Sequence, residues 1–147
     1  MAVNPSAFRD AESTNDSNRS AQVYKDINLN FSRHPVTGDI GTLSDVSAVK
    51  RSVRNLVNTN FYEKHFRPEI GSNIRSVLFE PVSPLVADVL KRHVKDVIEN
   101  FEPRAELIDI KSVAKPDRNE YQVTIEFFVV NSPAGAASVT LMLEQLR

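Results

Sequence analysis

"SPLVADVLKRHVKDVIENFEPRAELIDI", residues 83–110, runs a helix, a breaker and the opening of a strand together without a loop between them. Ser83 ahead of Pro84 reads as a helix start, because the serine oxygen can accept an unsatisfied first-turn N–H and proline has none to leave unpaired. Val86, Val89, Leu90, Val94, Val97 and Phe101 then recur at helical spacing and mark the buried stripe. Pro103 disfavours helical backbone at Glu102, so the helix is predicted to end near Asn100 or Phe101. "AELIDIKSVAK" (105–115) follows as a strand whose alternation is loose.

Toward the C-terminus the strand pattern sharpens. "YQVTIEFFVV" (121–130) sets Tyr121, Val123, Ile125, Phe127 and Val129 against Gln122, Thr124 and Glu126, and "ASVTLMLEQL" (137–146) repeats this with Val139, Leu141 and Leu143. The connectors "PDRN" and "NSPAG" are turn chemistry short enough for antiparallel hairpins. Toward the N-terminus, Val46, Val49, Val53, Leu56 and Val57 describe a second amphipathic helix, with Ser44 or Asp45 available as its cap. Its other side carries Lys50, Arg51 and Arg54, either a solvated face or a basic contact patch. "NIRSVLFEP" (73–81) predicts a short helix stopped near Pro81, and "DINLNFS" (26–32) alternates like a half-buried strand before the turn-rich "HPVTGDIGT" (34–42). Residues 1–21, rich in Ser, Asn, Asp and Ala, have the composition of a disordered arm. The pattern predicts an α+β fold over 22–147: a two-layer domain in which an antiparallel three- to four-stranded sheet, ending in a C-terminal β-meander, packs against two main helices.

Composition narrows the chemistry. Of 147 residues 41% are apolar and 25% charged, enough to bury one core. Eighteen basic against nineteen acidic residues leave a formal charge of −1, so no global field draws the chain to nucleic acid or an acidic membrane. There is no Cys for a disulfide or thiolate site. Neither a membrane-spanning run nor a secretory h-region is seen in the sequence. His34, His65 and His93 fall in three different elements, and four Gly leave no phosphate-binding loop. His93, on the edge of the helical stripe, has no second ligand at metal spacing. Glu80 and Glu102, both in "FEP", form a carboxyl pair that a glycosidase reading would require, although the shared tripeptide equally marks two helix ends. No cofactor or metal is expected.

The junction itself holds more chemistry than a helix stop needs. Arg104 stands at the mouth of a strand, where its planar fork can grip a carboxylate through two parallel hydrogen bonds. Glu102 and Arg104 are then either a local, exposed pair worth under about 1 kcal/mol, or a partner-facing pair whose direction Pro103 fixes. In the second case Arg104→Ala leaves folding largely intact and impairs assembly.

Three motifs in order carry a resemblance. Phe66, Pro68 and Gly71 form an aromatic-x-Pro-x-x-Gly turn; Leu78, Phe79 and Glu80 follow; Glu102, Pro103 and Arg104 close the set. From about Tyr24 onward the chain resembles the baseplate wedge proteins of contractile phage tails, the sheath-initiator family often labelled lysozyme-like, with a homologous subunit in type VI secretion baseplates. It departs from them at "YEKHF" (62–66), where family members commonly carry a Gly and a basic residue. The resemblance implies a structural, non-enzymatic virion component assembled in the host cytoplasm, with other wedge proteins and the tail sheath subunit as partners. Nucleic acid, membrane and small-molecule substrates are not implied. It further implies that the helices join a wedge core bundle and that the sheet exchanges strands with sheath subunits. The partner-binding residues would be Glu102, Pro103 and Arg104 at the junction, and Val139, Leu141 and Leu143 on the last strand, which ends the meander with an open edge. The alternatives are a peptidoglycan-degrading hydrolase and the equivalent subunit of a type VI secretion system.

Overall fold

A computed structural model describes residues 24–146. The arm expected over 1–21 lies outside them. Strand β1 (Lys25–Ile27) pairs antiparallel with β2 (Thr42–Ser44), which leads directly into helix α1 (Asp45–Asn58). Short helix α2 (Ile74–Val77) and long helix α3 (Pro84–Phe101) follow. The chain then enters β3 (Ala105–Lys115), β4 (Glu120–Val129) and β5 (Ala137–Glu144), an antiparallel meander in the order β3-β4-β5.

Strict alternation makes β4 the centre of the core. Tyr121, Val123, Ile125 and Phe127 are fully buried, and Val139, Leu141 and Leu143 of β5 flank them on the same face. The apolar stripes of α1 and α3 cover that face, giving the two-layer α+β arrangement read from the sequence. Ser83 caps α3 by accepting from the Val86 N–H at 3.3 Å, with Pro84 in the first turn. Its backbone N–H donates to the buried Tyr121 hydroxyl at 3.2 Å, so the start of α3 is tied to the middle strand.

The structure corrects the sequence reading in three places. First, the expected 26–32 strand shrinks to Lys25–Ile27 and joins a separate two-stranded ribbon instead of the main sheet. The Asn28 side chain accepts from the Asn30 N–H at 3.1 Å and Phe31 adopts a φ of +51°, so a turn supplants the ladder and leaves Leu29 and Phe31 exposed. Second, Ala87 and Ile98 join Leu90, Val94 and Val97 on the fully buried seam of α3, while Val86, Val89 and Phe101 are only half-buried beside it. Third, β3 alternates loosely because its register shifts between Leu107 and Asp109. Inward positions are 105 and 107 before the shift and 110, 112 and 114 after it, with Ile108 turned out to solvent.

Between α1 and α2 the loop over 59–73 closes on itself. Ser72 N–H donates to the Thr59 carbonyl at 2.8 Å, and the Ser72 hydroxyl donates to the Val57 carbonyl at 2.8 Å. Gly71, at φ +155°, makes this closure possible: a Cβ there would lie 2.5 Å from the Asn60 carbonyl carbon. Gly71→Ala is expected to destabilise the chain by about 2 kcal/mol, measured by urea unfolding, whereas Gly135→Ala, with no atom within 4 Å of the new methyl, leaves the midpoint unchanged.

Candidate interaction site

The end of α3 gathers charged and polar side chains from four elements. Glu102 caps the helix, its N–H donating to the Ile98 carbonyl at 2.9 Å, and only 4% of its surface is exposed. A carboxylate buried that far must be paired, because leaving an ionised group without partners costs several kcal/mol. Arg104 supplies the pairing through two parallel bonds, Nε to Oε1 at 2.7 Å and Nη2 to Oε2 at 3.0 Å. The Ser52 hydroxyl of α1 donates to the same carboxylate. On its far side, the Arg104 Nη1 reaches both oxygens of Asp26 on β1 at 3.2 Å, and the guanidinium lies 5.5 Å from the centre of the Tyr24 ring. One arginine therefore connects the α3–β3 junction to β1, while the carboxylate it holds connects that junction to α1.

A local, exposed pair does not describe this geometry. Glu102 is buried and Arg104 half-buried, and both bind other elements of their own chain. Pro103 between them is exposed. Backbone bonds fix the turn, with Ala105 N–H on the Glu102 carbonyl at 3.1 Å and Val130 N–H on the Arg104 carbonyl at 3.0 Å. Burial pushes the Glu102 pKa upward most strongly as a single influence. The hydrogen bonds from Arg104 and Ser52, with the arginine's charge, outweigh it and leave the pKa below the ordinary glutamate value. Arg104 is correspondingly held in its charged form by Glu102.

That electrostatic state bears on the carboxyl-pair reading. A general acid needs a raised pKa, and Glu102 has a lowered one. Glu80 lies before α3 and Glu102 after it, and an 18-residue helix spans about 27 Å. Paired glycosidase carboxyls stand about 5–9.5 Å apart, so these two do not converge on one bond. Among the described residues no cluster of three or more His, Asp or Glu side chains is arranged to hold a metal, and no helix is long and apolar enough to cross a membrane.

Val139, Leu141 and Leu143 point their side chains into the core, exposed by 8% or less. What β5 offers outward along its free edge is backbone, together with Ser138, Thr140 and Met142 on the outer face. On α1 the three basic residues divide: Arg54 is exposed, Lys50 is half-buried, and Arg51 donates through Nη2 to Asn30 at 2.6 Å. Sequence reading missed Ser52 and Asp26 as members of the constellation, since nothing local marks a serine 50 residues away, or an aspartate 78 residues away, as a partner.

Residues 44–134 match the family of baseplate wedge protein gp25. The chain belongs to that family. It is 27% identical over 105 residues to the baseplate wedge protein gp25 of Enterobacteria phage T4, covering 71% of this chain and 80% of that one. Three solved structures share the fold. A tail protein of Geobacter sulfurreducens that carries a lysozyme label superposes with a TM-score of 0.60 at 20% identity, over 68% of this chain and 90% of its own. A chain of the anti-feeding prophage baseplate gives 0.57 at 18% identity, over 84% and 87%. One from the type VI secretion baseplate complex gives 0.56 at 16% identity, over 67% and 93%.

The stability of this gp25-family chain should follow the Glu102 carboxylate. Its pKa is lower folded than unfolded, so the stabilisation is complete above the unfolded value of about 4.3 and is lost as pH falls through the lowered one. The stability difference between wild type and Glu102→Gln, read by urea unfolding, is expected to be largest at neutral pH and to shrink toward pH 3. Arg104→Ala, which strands a buried carboxylate, should destabilise by about 1–3 kcal/mol, so the expectation of a largely intact fold for that variant is revised.

Proposed function

We propose that this chain is a structural, non-enzymatic subunit of a contractile-tail baseplate wedge, preceded by an arm over 1–21 and acting through a single domain over 22–147. Its sheet seeds the first ring of the sheath, and its junction at Glu102, Pro103 and Arg104 faces the other wedge proteins in the helical bundle. The gp25 family match carries this reading. The 27% identity to the phage T4 protein favours a phage-tail baseplate, assembled in the host cytoplasm, over a secretion baseplate.

The two edges of the meander differ in a way that supports strand exchange. β3 is broken by its bulge at Leu107/Asp109, which twists an edge away from regular pairing. β5 pairs with β4 in unbroken register from Glu144 to Ala137, and among the described residues no strand pairs with its other side. Val139, Leu141 and Leu143 contribute by anchoring that strand to the core, so its outer N–H and C=O groups are held extended for an incoming strand. Pro103 offers the exposed corner of the junction, and Arg104 holds its shape.

Purified chain is expected to shorten the lag of sheath-subunit polymerisation and to associate with wedge partners in size-exclusion chromatography. Ser138→Lys/Thr140→Lys places two charges on the exposed edge strand and should restore the long lag with an unchanged melting temperature. Seeding by that variant as efficient as wild type, or a chain that stays monomeric with every partner, refutes the reading.

A further inference from the structure

An open groove of about 970 Å³ lies between the β1 end of the ribbon, the side of α1 and the loop over 59–73. It is separate from the β5 edge. Among the described residues four cations line it, Lys25, Arg51, Lys64 and Arg67, the last paired with Glu69 at 3.6 Å, against the single lining carboxylate of Asp26, which Arg104 already engages. A basic concavity on a chain of formal charge −1 is a local arrangement, not a reflection of overall composition. Leu56 and Ile70 line it together with Ile27 and Leu29, which are 58% and 50% exposed. The Arg51 guanidinium is anchored by Asn30 through one nitrogen, while its buried Nε has no partner.

We infer that this groove is a docking site for an acidic amphipathic helix of a partner protein, laid with its apolar flank on the four aliphatic side chains and its carboxylates toward the cations. A helix suits the walls better than an extended segment does. α1 and the loop offer side chains, and among the described residues no strand longer than the three residues of β1 borders the groove. An extended peptide would set unpaired N–H and C=O groups against Leu56 and Ile70, whereas a helix satisfies its own. Nucleic acid is the poorer fit, because Phe101 is the one aromatic ring among the described lining residues, where successive bases would need several platforms to stack on. The wall that carries Lys64 and Arg67 is braced from within: Asn60 donates from N and Nδ2 to the Glu63 carboxylate at 2.9 and 2.6 Å, and Tyr62 N–H donates to the Pro68 carbonyl at 3.0 Å. A preorganised wall loses little freedom when the partner arrives.

The inference rests on the wedge reading for its setting among other subunits, yet its test needs no baseplate component. The probe is a synthetic peptide of about five helical turns, Leu on one face and Glu on the other, titrated by fluorescence anisotropy into the full chain. Saturable binding is expected, at least about tenfold tighter than for the same peptide with Lys replacing Glu. Lys64→Glu/Arg67→Glu, both at exposed positions, should weaken the acidic peptide by about tenfold or more with the melting curve unchanged. Leu29→Glu is a second variant, with the same loss expected from the apolar side, and Arg118→Glu, outside the groove, should have no effect. Equal affinity for both peptides, no binding, undiminished affinity in the groove variants, or a preference for a single-stranded oligonucleotide overturns the inference. Each of these leaves sheath seeding by β5 untouched, so the two readings fail separately.

Discussion

Glu102 ends an 18-residue helix with 4% of its surface exposed, and the arrangement of its surroundings follows from the need to keep that charge answered. Arg104 can reach it with both arms of the fork only if the chain turns sharply between them, and Pro103 enforces that turn. Ser52 must then lie on the face of α1 that meets the end of α3, which sets how the two helices sit over the sheet. The remaining nitrogen of the fork extends to Asp26, so the small β1–β2 ribbon is located by the same group. Replacing the cluster with hydrocarbon would be no great loss in free energy alone. What hydrocarbon lacks is direction: four elements meet at one carboxylate–guanidinium geometry.

Legibility in the sequence tracked how local the deciding interactions are. β4 was readable residue by residue, because every inward position is an apolar side chain against one face of one core. α3 was readable at both ends, since Ser83, Pro84 and Pro103 act on their nearest neighbours. β3 looked irregular for a reason that periodicity cannot name: a bulge moves the inward phase from odd to even positions, so the apolar residues are in place but appear misaligned. The 26–32 segment failed in the opposite way. Its alternation was real, but Asn28 offered its own backbone a competing turn.

The junction shows the limit most clearly. Glu-Pro-Arg in sequence announces a helix end and a possible ion pair, and both are present. Whether such a pair lies in solvent or is enclosed depends on what packs over it, and Ser52 and Asp26 come from elements 50 and 78 residues distant. The motif's place in an ordered set with the Phe66–Gly71 turn was more informative about family than any of its members was about packing. Gly71 illustrates why: its value lies in a close approach to the Asn60 backbone that no property of glycine alone predicts.

The two surfaces proposed above, the β5 edge and the groove beside α1, differ in the type of interaction they offer. On the proposed reading the β5 edge would recognise through backbone, indifferent to side-chain identity, and suit a partner that supplies a strand. The groove beside α1, on the inference above, would recognise through charge and aliphatic contact, with an affinity that depends on ionic strength as backbone pairing does not. Between them the Glu102 carboxylate, 4% exposed and held by the half-buried Arg104, is less open to salt than either surface. Changes at either surface can therefore adjust one partnership while the element that fixes their relative placement stays constant.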